Sequence, residues 1–105
     1  MPGLGKFLKQ AQRLQEQMQK VQEELAQREV EASAGGGVVS VTARCDGTIA
    51  RIRIDPKAVS ADDVEMLEDL VLAAVNNALE LARKTQNEEM SKLTAGLNLS
   101  PGFKL

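Results

Sequence analysis

The sequence predicts an α+β protein with the element order α-β-β-β-α: a long helix, a three-stranded antiparallel sheet and a second long helix. Three observations predict it. Apolar residues recur with heptad spacing near the start, an Asp-Gly turn separates two alternating stretches in the middle, and a dense helical apolar period fills the second half. A chain of 105 residues forms one domain, spanning residues 1–105.

The first helix is predicted over residues 1–28, as an arm that continues into the body of the protein. Two heptad positions hold its apolar residues: Leu4, Ala11, Met18, Leu25 and Ala32 at one, and Phe7, Leu14 and Val21 at the other. This narrow stripe is typical of a coiled-coil seam. Such a helix is about 40 Å long, whereas a compact domain of this size has a radius of gyration of only about 13 Å. We therefore expect it to project, to be covered by a second chain, or both.

The sheet is predicted over residues 29–55, beginning with an alternating stretch from Val30 to Ala34. Three glycines, 35–37, follow it. Because they lack the spacing of a dinucleotide-binding or Walker loop and no helix starts after them, we interpret them as a linker and not as a phosphate-binding loop.

The hairpin is predicted around Asp46-Gly47, read as a two-residue type I′ turn. That turn gives an apolar face with four cross-strand pairs: Cys45 with Thr48, Ala43 with Ala50, Val41 with Ile52, and Val39 with Ile54. The opposite face carries Arg44, Arg51 and Arg53. Sheets that bind single strands or RNA stack bases on aromatic side chains, which this hairpin lacks, so a solvated or dimer-facing polar side is favoured.

The second long helix is predicted over residues 60–95, after Asp55-Pro56 ends the sheet. Ser60 is the expected N-cap, with Asp63 in a capping-box position. Apolar residues are dense as far as Ala82 and sparse beyond it, so only the first half of the helix is expected to be broadly buried. Gly96 is the expected stop, and residues 96–105 form a tail.

The composition argues against catalysis. There is no His, and the single cysteine, Cys45, has neither a His nor a second Cys as partner. Ser40, Thr42 and Ser60 have no general base to activate them. We therefore expect no enzyme activity, no metal, no cofactor and no small-molecule substrate. A lone thiol and the lack of a signal peptide or membrane span favour a soluble cytoplasmic protein that does not bind membranes.

Charge is unevenly distributed, although the formal net charge is only −2. Lys6, Lys9, Arg13 and Lys20 against Glu16 give residues 1–20 a charge of +3. Residues 83–105 carry +2, and residues 21–82, with five basic and twelve acidic side chains, carry −7. In an antiparallel arrangement the start of the first helix lies beside the end of the second. A basic distal end on an acidic body is the pattern that phosphate binding requires.

Several segments resemble the YbaB/EbfC nucleoid-associated proteins. They are the opening GLGKFLKQAQ (3–12), GGVVSV (36–41), IDP (54–56), EMLEDLV (65–71) and the ending SPGFK (100–104). The resemblance covers essentially the whole chain. It implies a protomer that forms a tweezer-like homodimer with projecting helical arms. It also implies binding to double-stranded DNA, a change in DNA conformation, and roles in nucleoid organisation, DNA protection and gene regulation.

The family's DNA contacts are attributed to the helical arms, so the resemblance implies a site at Lys6, Lys9, Gln10 and Arg13. We add Lys84 and Lys92 on charge alone. A prefoldin-like holdase or a coiled-coil scaffold is the alternative, since projecting arms also suit protein clients. A holdase should expose apolar residues at the arm tips, and the candidates are Leu4, Phe7, Leu97, Leu99 and Phe103.

Overall fold

The computed structural model describes residues 2–95 and confirms the predicted α-β-β-β-α order. Its elements are α1 (Pro2–Gln27), β1 (Glu29–Ala34), β2 (Val39–Arg44), β3 (Ile49–Ile54) and α2 (Val64–Ala95). The molecule is elongated, with extents of 74 × 25 × 16 Å. The predicted stop at Gly96 and the tail, residues 96–105, lie outside the described residues.

The sheet is antiparallel in the order β1-β2-β3, with β2 in the centre. One face of β2 presents Val39, Val41 and Ala43, which are fully buried against α2. The helix meets them with small side chains spaced four residues apart: Ala74, Ala78 and Ala82. Alanines at this spacing lie on one face of the helix and let its backbone approach the sheet closely.

The helix α2 crosses β1 and β2 but leaves β3 uncovered. Asn77 marks the flank of the helix that faces β1, because its Nδ2 donates a hydrogen bond of 3.3 Å to the Ser33 carbonyl. The opposite flank of the helix, which carries Leu72 and Val75, therefore faces the β3 side. Ile52 and Leu72 stay 46% and 61% exposed. In a single protomer the core is therefore one-sided: α2 covers β1 and β2, and the apolar side chains of β3 stay exposed.

The β2–β3 turn differs from the predicted type I′ turn. The Gly47 N–H donates to the Arg44 carbonyl at 3.0 Å, and the Arg44 N–H donates to the Thr48 carbonyl at 2.8 Å. The loop therefore has three residues, with Gly47 at φ +94°. Three-residue loops of this kind are the next most common hairpin connection after two-residue turns. Asp46 stabilises it by accepting bonds from the Thr48 N–H and hydroxyl through Oδ1.

This turn shifts the strand register close to the loop. The predicted pairs Val39–Ile54 and Val41–Ile52 are confirmed, but Ala43 pairs with Ile49 and not with Ala50. Ala50 is the extra residue of a β-bulge, so Ile49 joins the apolar face that was predicted to carry Ala50. The predicted pair of Cys45 with Thr48 is also wrong, because the Cys45 N–H instead donates to the Arg28 carbonyl at 2.9 Å.

The three glycines form a compact 3₁₀ turn between β1 and β2, and the interpretation as a plain linker was incomplete. Gly35, Gly36 and Gly37 all have positive φ, at 63°, 71° and 97°, which side chains other than glycine adopt only with strain. A Cβ on Gly35 would also lie 2.8 Å from Leu70 Cδ2. The turn is therefore packed against α2.

The second long helix begins at Val64, four residues later than predicted. Asp63 is its cap: Oδ1 accepts a hydrogen bond of 3.2 Å from the Met66 N–H. Ser60 was the wrong choice because its hydroxyl is used in a preceding turn, where it accepts from the Asp62 N–H at 3.3 Å. Asp55 ends β3 in a similar way, by accepting from the Lys57 N–H at 3.0 Å.

Candidate nucleic-acid interface

The helices α1 and α2 pack antiparallel, as predicted, over the inner end of α1. Leu25 is buried, and Leu14, Met18 and Val21 are half-buried. Arg28, directly after α1, joins its Nη1 to Glu89 Oε1 at 3.0 Å. Leu25 of the heptad seam is therefore covered within the protomer.

The outer part of α1 has no such support from the described part of α2. All side chains from Gly3 to Arg13 are exposed. At a rise of about 1.5 Å per residue, six residues of α2 beyond Glu89 extend about 9 Å, whereas α1 extends about 39 Å beyond Arg28. We call residues 2–20 of α1 the arm. By this estimate the arm lies past Ala95, the last described residue of α2.

Four exposed cations lie along one side of the arm: Lys6, Lys9, Arg13 and Lys20. With about 100° between successive residues they fall within an arc of about 60°. They span roughly 21 Å of the helix axis. The apolar residues Leu4, Phe7 and Ala11 lie on the opposite side. We call the four cations the cation stripe.

The cation stripe takes part in no ion pair among residues 2–95. The ion pairs there are Arg28–Glu89 at 3.0 Å, Arg51–Glu29 at 2.8 Å and Lys92–Glu89 at 3.3 Å. These bonds lie at the base of the arm and on the sheet. The charge of the stripe is thus available for an external anion.

The predicted site residues fall into two groups. Lys6, Lys9 and Arg13 lie on the stripe, and Gln10 is exposed next to Lys6, where its amide can donate to a phosphate or a base edge. The structure does not bring the α2 candidates into this stripe. Lys92 binds Glu89 at the arm base and helps Arg28 to hold the pKa of that carboxyl below its usual value.

Lys84, the other candidate on α2, is exposed beside a shallow groove. Glu80 and Glu88 line the same groove and offset its positive charge. Lys20, in contrast, was not included among the predicted site residues. Its spacing of seven from Arg13 places it on the same side of the helix and would have identified it.

The arginine face of the sheet is less free than the arm. Arg51 Nη2 is bound to Glu29 Oε1 at 2.8 Å. A small polar cavity beside it is lined by Arg53, Glu31 and Thr42, among others. Acidic residues of β1 therefore alternate with these cations, which weakens the face as a phosphate-binding surface.

The described residues offer little for other chemistry. Residues 2–95 contain no group of three or more His, Cys, Asp or Glu that could hold a metal ion. Cys45 is only 1% exposed, and burial raises the pKa of its thiol, so the reactive thiolate is disfavoured. No helix in the described part is long and apolar enough to cross a membrane.

Two comparisons with known proteins agree with this geometry. The model of the YbaB/EbfC DNA-binding family matches residues 1–97. The crystal structure of the uncharacterized protein HP0035 from Helicobacter pylori has a TM-score of 0.70 to this chain, with 19% identity, and covers 87% of this chain and 92% of that chain. The structural likeness shows a shared fold. The family match decides the membership: this chain belongs to the YbaB/EbfC DNA-binding family, which supports a nucleoid-associated DNA-binding role.

Proposed function

We propose that the protein binds double-stranded DNA as a homodimer, with the two arms contacting the phosphate backbone. The observation that carries this proposal is the cation stripe, which is exposed and has no ion-pair partner among residues 2–95. Duplex DNA carries about one negative charge per 1.7 Å of axis. A row of four cations over roughly 21 Å therefore meets many phosphates.

The acidic body supports an arm-first orientation. Residues 21–82 carry a charge of −7 and residues 1–20 carry +3. The body is repelled by the duplex and the arms are attracted, so the long-range field turns the arms toward DNA before contact. Two arms held apart by one body also contact two places on the same duplex. Through this second contact we propose that the protein alters DNA conformation and serves nucleoid organisation, DNA protection and gene regulation.

The homodimer is proposed from the uncovered apolar surface between β3 and α2. On the strand, Ile52 and Ile54 are 46% and 37% exposed. On the helix, Leu72 is 61% exposed beside a groove lined mainly by apolar side chains, including Val71 and Val75. Apolar surface of this kind is typical of an interface. A second copy placed across it would complete the one-sided core of each protomer.

Charge reversal on the arm tests the DNA site. Lys6→Glu with Arg13→Glu should abolish the electrophoretic shift of duplex DNA at near-physiological salt and leave the oligomeric state unchanged. The matched control is Arg53→Glu with Lys57→Glu, which changes the net charge equally on exposed residues of the body. If the arm variant still shifts DNA like the parent, or if the body variant loses binding equally, the arm is not the site.

Introducing a charge into the apolar surface tests the homodimer. Ile52→Glu with Leu72→Glu should convert a dimer to a monomer in analytical ultracentrifugation, because an unpaired carboxylate is costly to bury. The matched control is Met66→Glu, which adds a carboxylate at a 48% exposed position on the other flank of α2. A parent protein that sediments as a monomer contradicts the proposal, and so does a double variant that remains dimeric.

A holdase remains the second candidate, because the arm tip exposes apolar side chains. Leu4, Phe7 and Leu8 are 60%, 68% and 57% exposed. A salt titration separates the two functions. Phosphate contacts require log affinity to fall by about 0.9 per neutralised phosphate for each unit of log salt, whereas capture of an unfolded client through apolar contacts would be flat or would strengthen.

A further inference from the structure

Glu16 is the one acidic residue of the arm. At about 100° per residue it lies about 20° outside the arc of the cation stripe. Along the helix axis it lies about 4.5 Å from Arg13 and about 6 Å from Lys20, between the two. Its side chain is exposed. A carboxylate thus borders the surface that we propose for the phosphates.

Stabilisation of the helix does not account for this carboxylate. Glu16 and Lys20 have the i, i+4 order in which glutamate and lysine favour a helix, and Arg13 is within reach on the other side. Neither cation pairs with it, because the ion pairs among residues 2–95 have Glu89 or Glu29 as the acid. The Glu16 carboxylate is therefore free to accept a hydrogen bond from a ligand.

The position of Glu16 on the arm suits the bases of DNA and not the phosphates. A carboxylate and a phosphate repel each other. When the centre of the cation stripe faces the phosphates of one strand, Glu16 lies about 50° around the helix from that direction. The major groove is about 12 Å wide and admits an α-helix. In that groove the stripe faces one wall, and a side chain turned away from the wall by this angle is directed toward the base edges.

We propose that Glu16 recognises the major groove of duplex DNA by accepting a hydrogen bond from the N4 amino group of cytosine. This inference rests on the proposed DNA-binding function of the arm. In the major groove cytosine presents this donor without an acceptor, whereas adenine presents its N6 amino group beside the N7 acceptor. An ionised carboxylate only accepts hydrogen bonds, so N7 repels it and cytosine is preferred. The arm then combines sequence-independent phosphate contacts with a preference for G·C pairs.

Binding to three duplexes of equal length tests the contact in the full chain. One duplex has alternating G·C pairs, one has inosine·C pairs and one has A·T pairs. Inosine lacks the guanine N2 amino group, so the second duplex has the major groove of the first and the minor-groove pattern of the third. In fluorescence anisotropy at near-physiological salt, the parent should bind the first two equally and about fivefold more tightly than the third.

Replacing the carboxylate should remove this preference. Glu16→Gln should reduce the difference to less than about twofold, because a glutamine amide pairs with adenine N6 and N7. The matched control is Glu23→Gln, which removes the same charge from an exposed position of α1 outside the arm. It should keep the fivefold preference of the parent. The ratio between duplexes separates a base contact from general repulsion, since both substitutions change the net charge equally.

Four results would overturn the proposal. A parent that binds all three duplexes equally would disprove the base contact and leave DNA binding by the arm intact. An inosine duplex that behaves like the A·T duplex would place the preference in the minor groove. An equal gain of Glu16→Gln on all three duplexes would show that Glu16 only repels phosphates. A parent that binds none of them would contradict the proposed function itself, and the base contact with it.

Discussion

The arm and the body of this protein are stabilised in different ways. In the body, Val39 and Val41 are fully buried against a row of alanines of α2, so close packing determines the structure. In the arm, every side chain from Gly3 to Arg13 is exposed, and its charges have no ion-pair partner among residues 2–95. Packing in the body therefore sets the shape, whereas we propose that the charge of the arm selects the ligand.

The largest expected effect on stability comes from the body. Val41→Ala removes two methyl groups from a fully buried site and should lower the free energy of unfolding by about 2 kcal/mol. Gln12→Ala, at an exposed position of the arm, should change it by less than about 0.5 kcal/mol. Urea denaturation of both variants measures the difference. Similar losses in the two variants would show that the arm is packed as tightly as the body.

An intermediate effect is expected in the turn that joins β1 to β2. Gly35→Ala combines a strained φ of +63° with a Cβ 2.8 Å from both Leu70 Cδ2 and Val38 Cγ2. It should cost about 2–3 kcal/mol, of which about 1–2 is backbone strain. Gly36→Ala is the matched control, because its φ is +71° but its Cβ would meet nothing within 4 Å. Equal midpoints in urea would mean that the contact with α2 is unimportant.

The smallest effect is expected at the base of the arm, where Glu89 binds Arg28 and Lys92. Hydrogen bonds from Arg28, and then from Lys92, lower the pKa of Glu89 below 4.5. A carboxyl with a lowered pKa stabilises the folded state fully above its unfolded pKa, and this contribution is lost as the pH falls through the folded value. Glu89→Gln should therefore lower the Tm at pH 7 and have almost no effect near pH 2.

Glu88→Gln is the control for this pH dependence. It lies beside Glu89 on the exposed surface of α2 and has no ion-pair partner among residues 2–95. It should change the Tm at pH 7 less than Glu89→Gln does, because it removes no ion pair among the described residues. A loss in Glu89→Gln that is as large at pH 2 as at pH 7 would show that Glu89 acts by packing and not by charge.

Much of the fold could be predicted from the sequence, because period and charge are local signals. The alternation on either side of Asp46-Gly47 identified the hairpin, and the pairing of Val39 and Val41 followed from it. The turn type did not follow, since a glycine after Asp suits both turns. In the observed three-residue loop the Cys45 N–H donates a hydrogen bond to the Arg28 carbonyl. No local sequence pattern reveals this contact.

The first residue of α2 and the choice of site residues also depended on contacts that the local sequence pattern does not show. Ser60 and Asp63 are both good N-caps by residue type, and the choice depended on a turn that uses the Ser60 hydroxyl. On the arm, helical spacing was sufficient to group Lys6, Lys9 and Arg13. Charge alone did not reveal that Lys92 pairs with Glu89, which also binds Arg28; its role in DNA binding stays a prediction.

The salt dependence of duplex binding by Lys9→Gln tests the central claim most directly. If the arms of a dimer neutralise phosphates, losing one cation per arm should reduce the slope of log affinity against log salt by about 1.8, which is about 0.9 for each of two arms. The matched variant Lys57→Gln, on the body, should keep the slope of the parent. An unchanged slope for Lys9→Gln, or an equal reduction for Lys57→Gln, would contradict DNA binding through the arms.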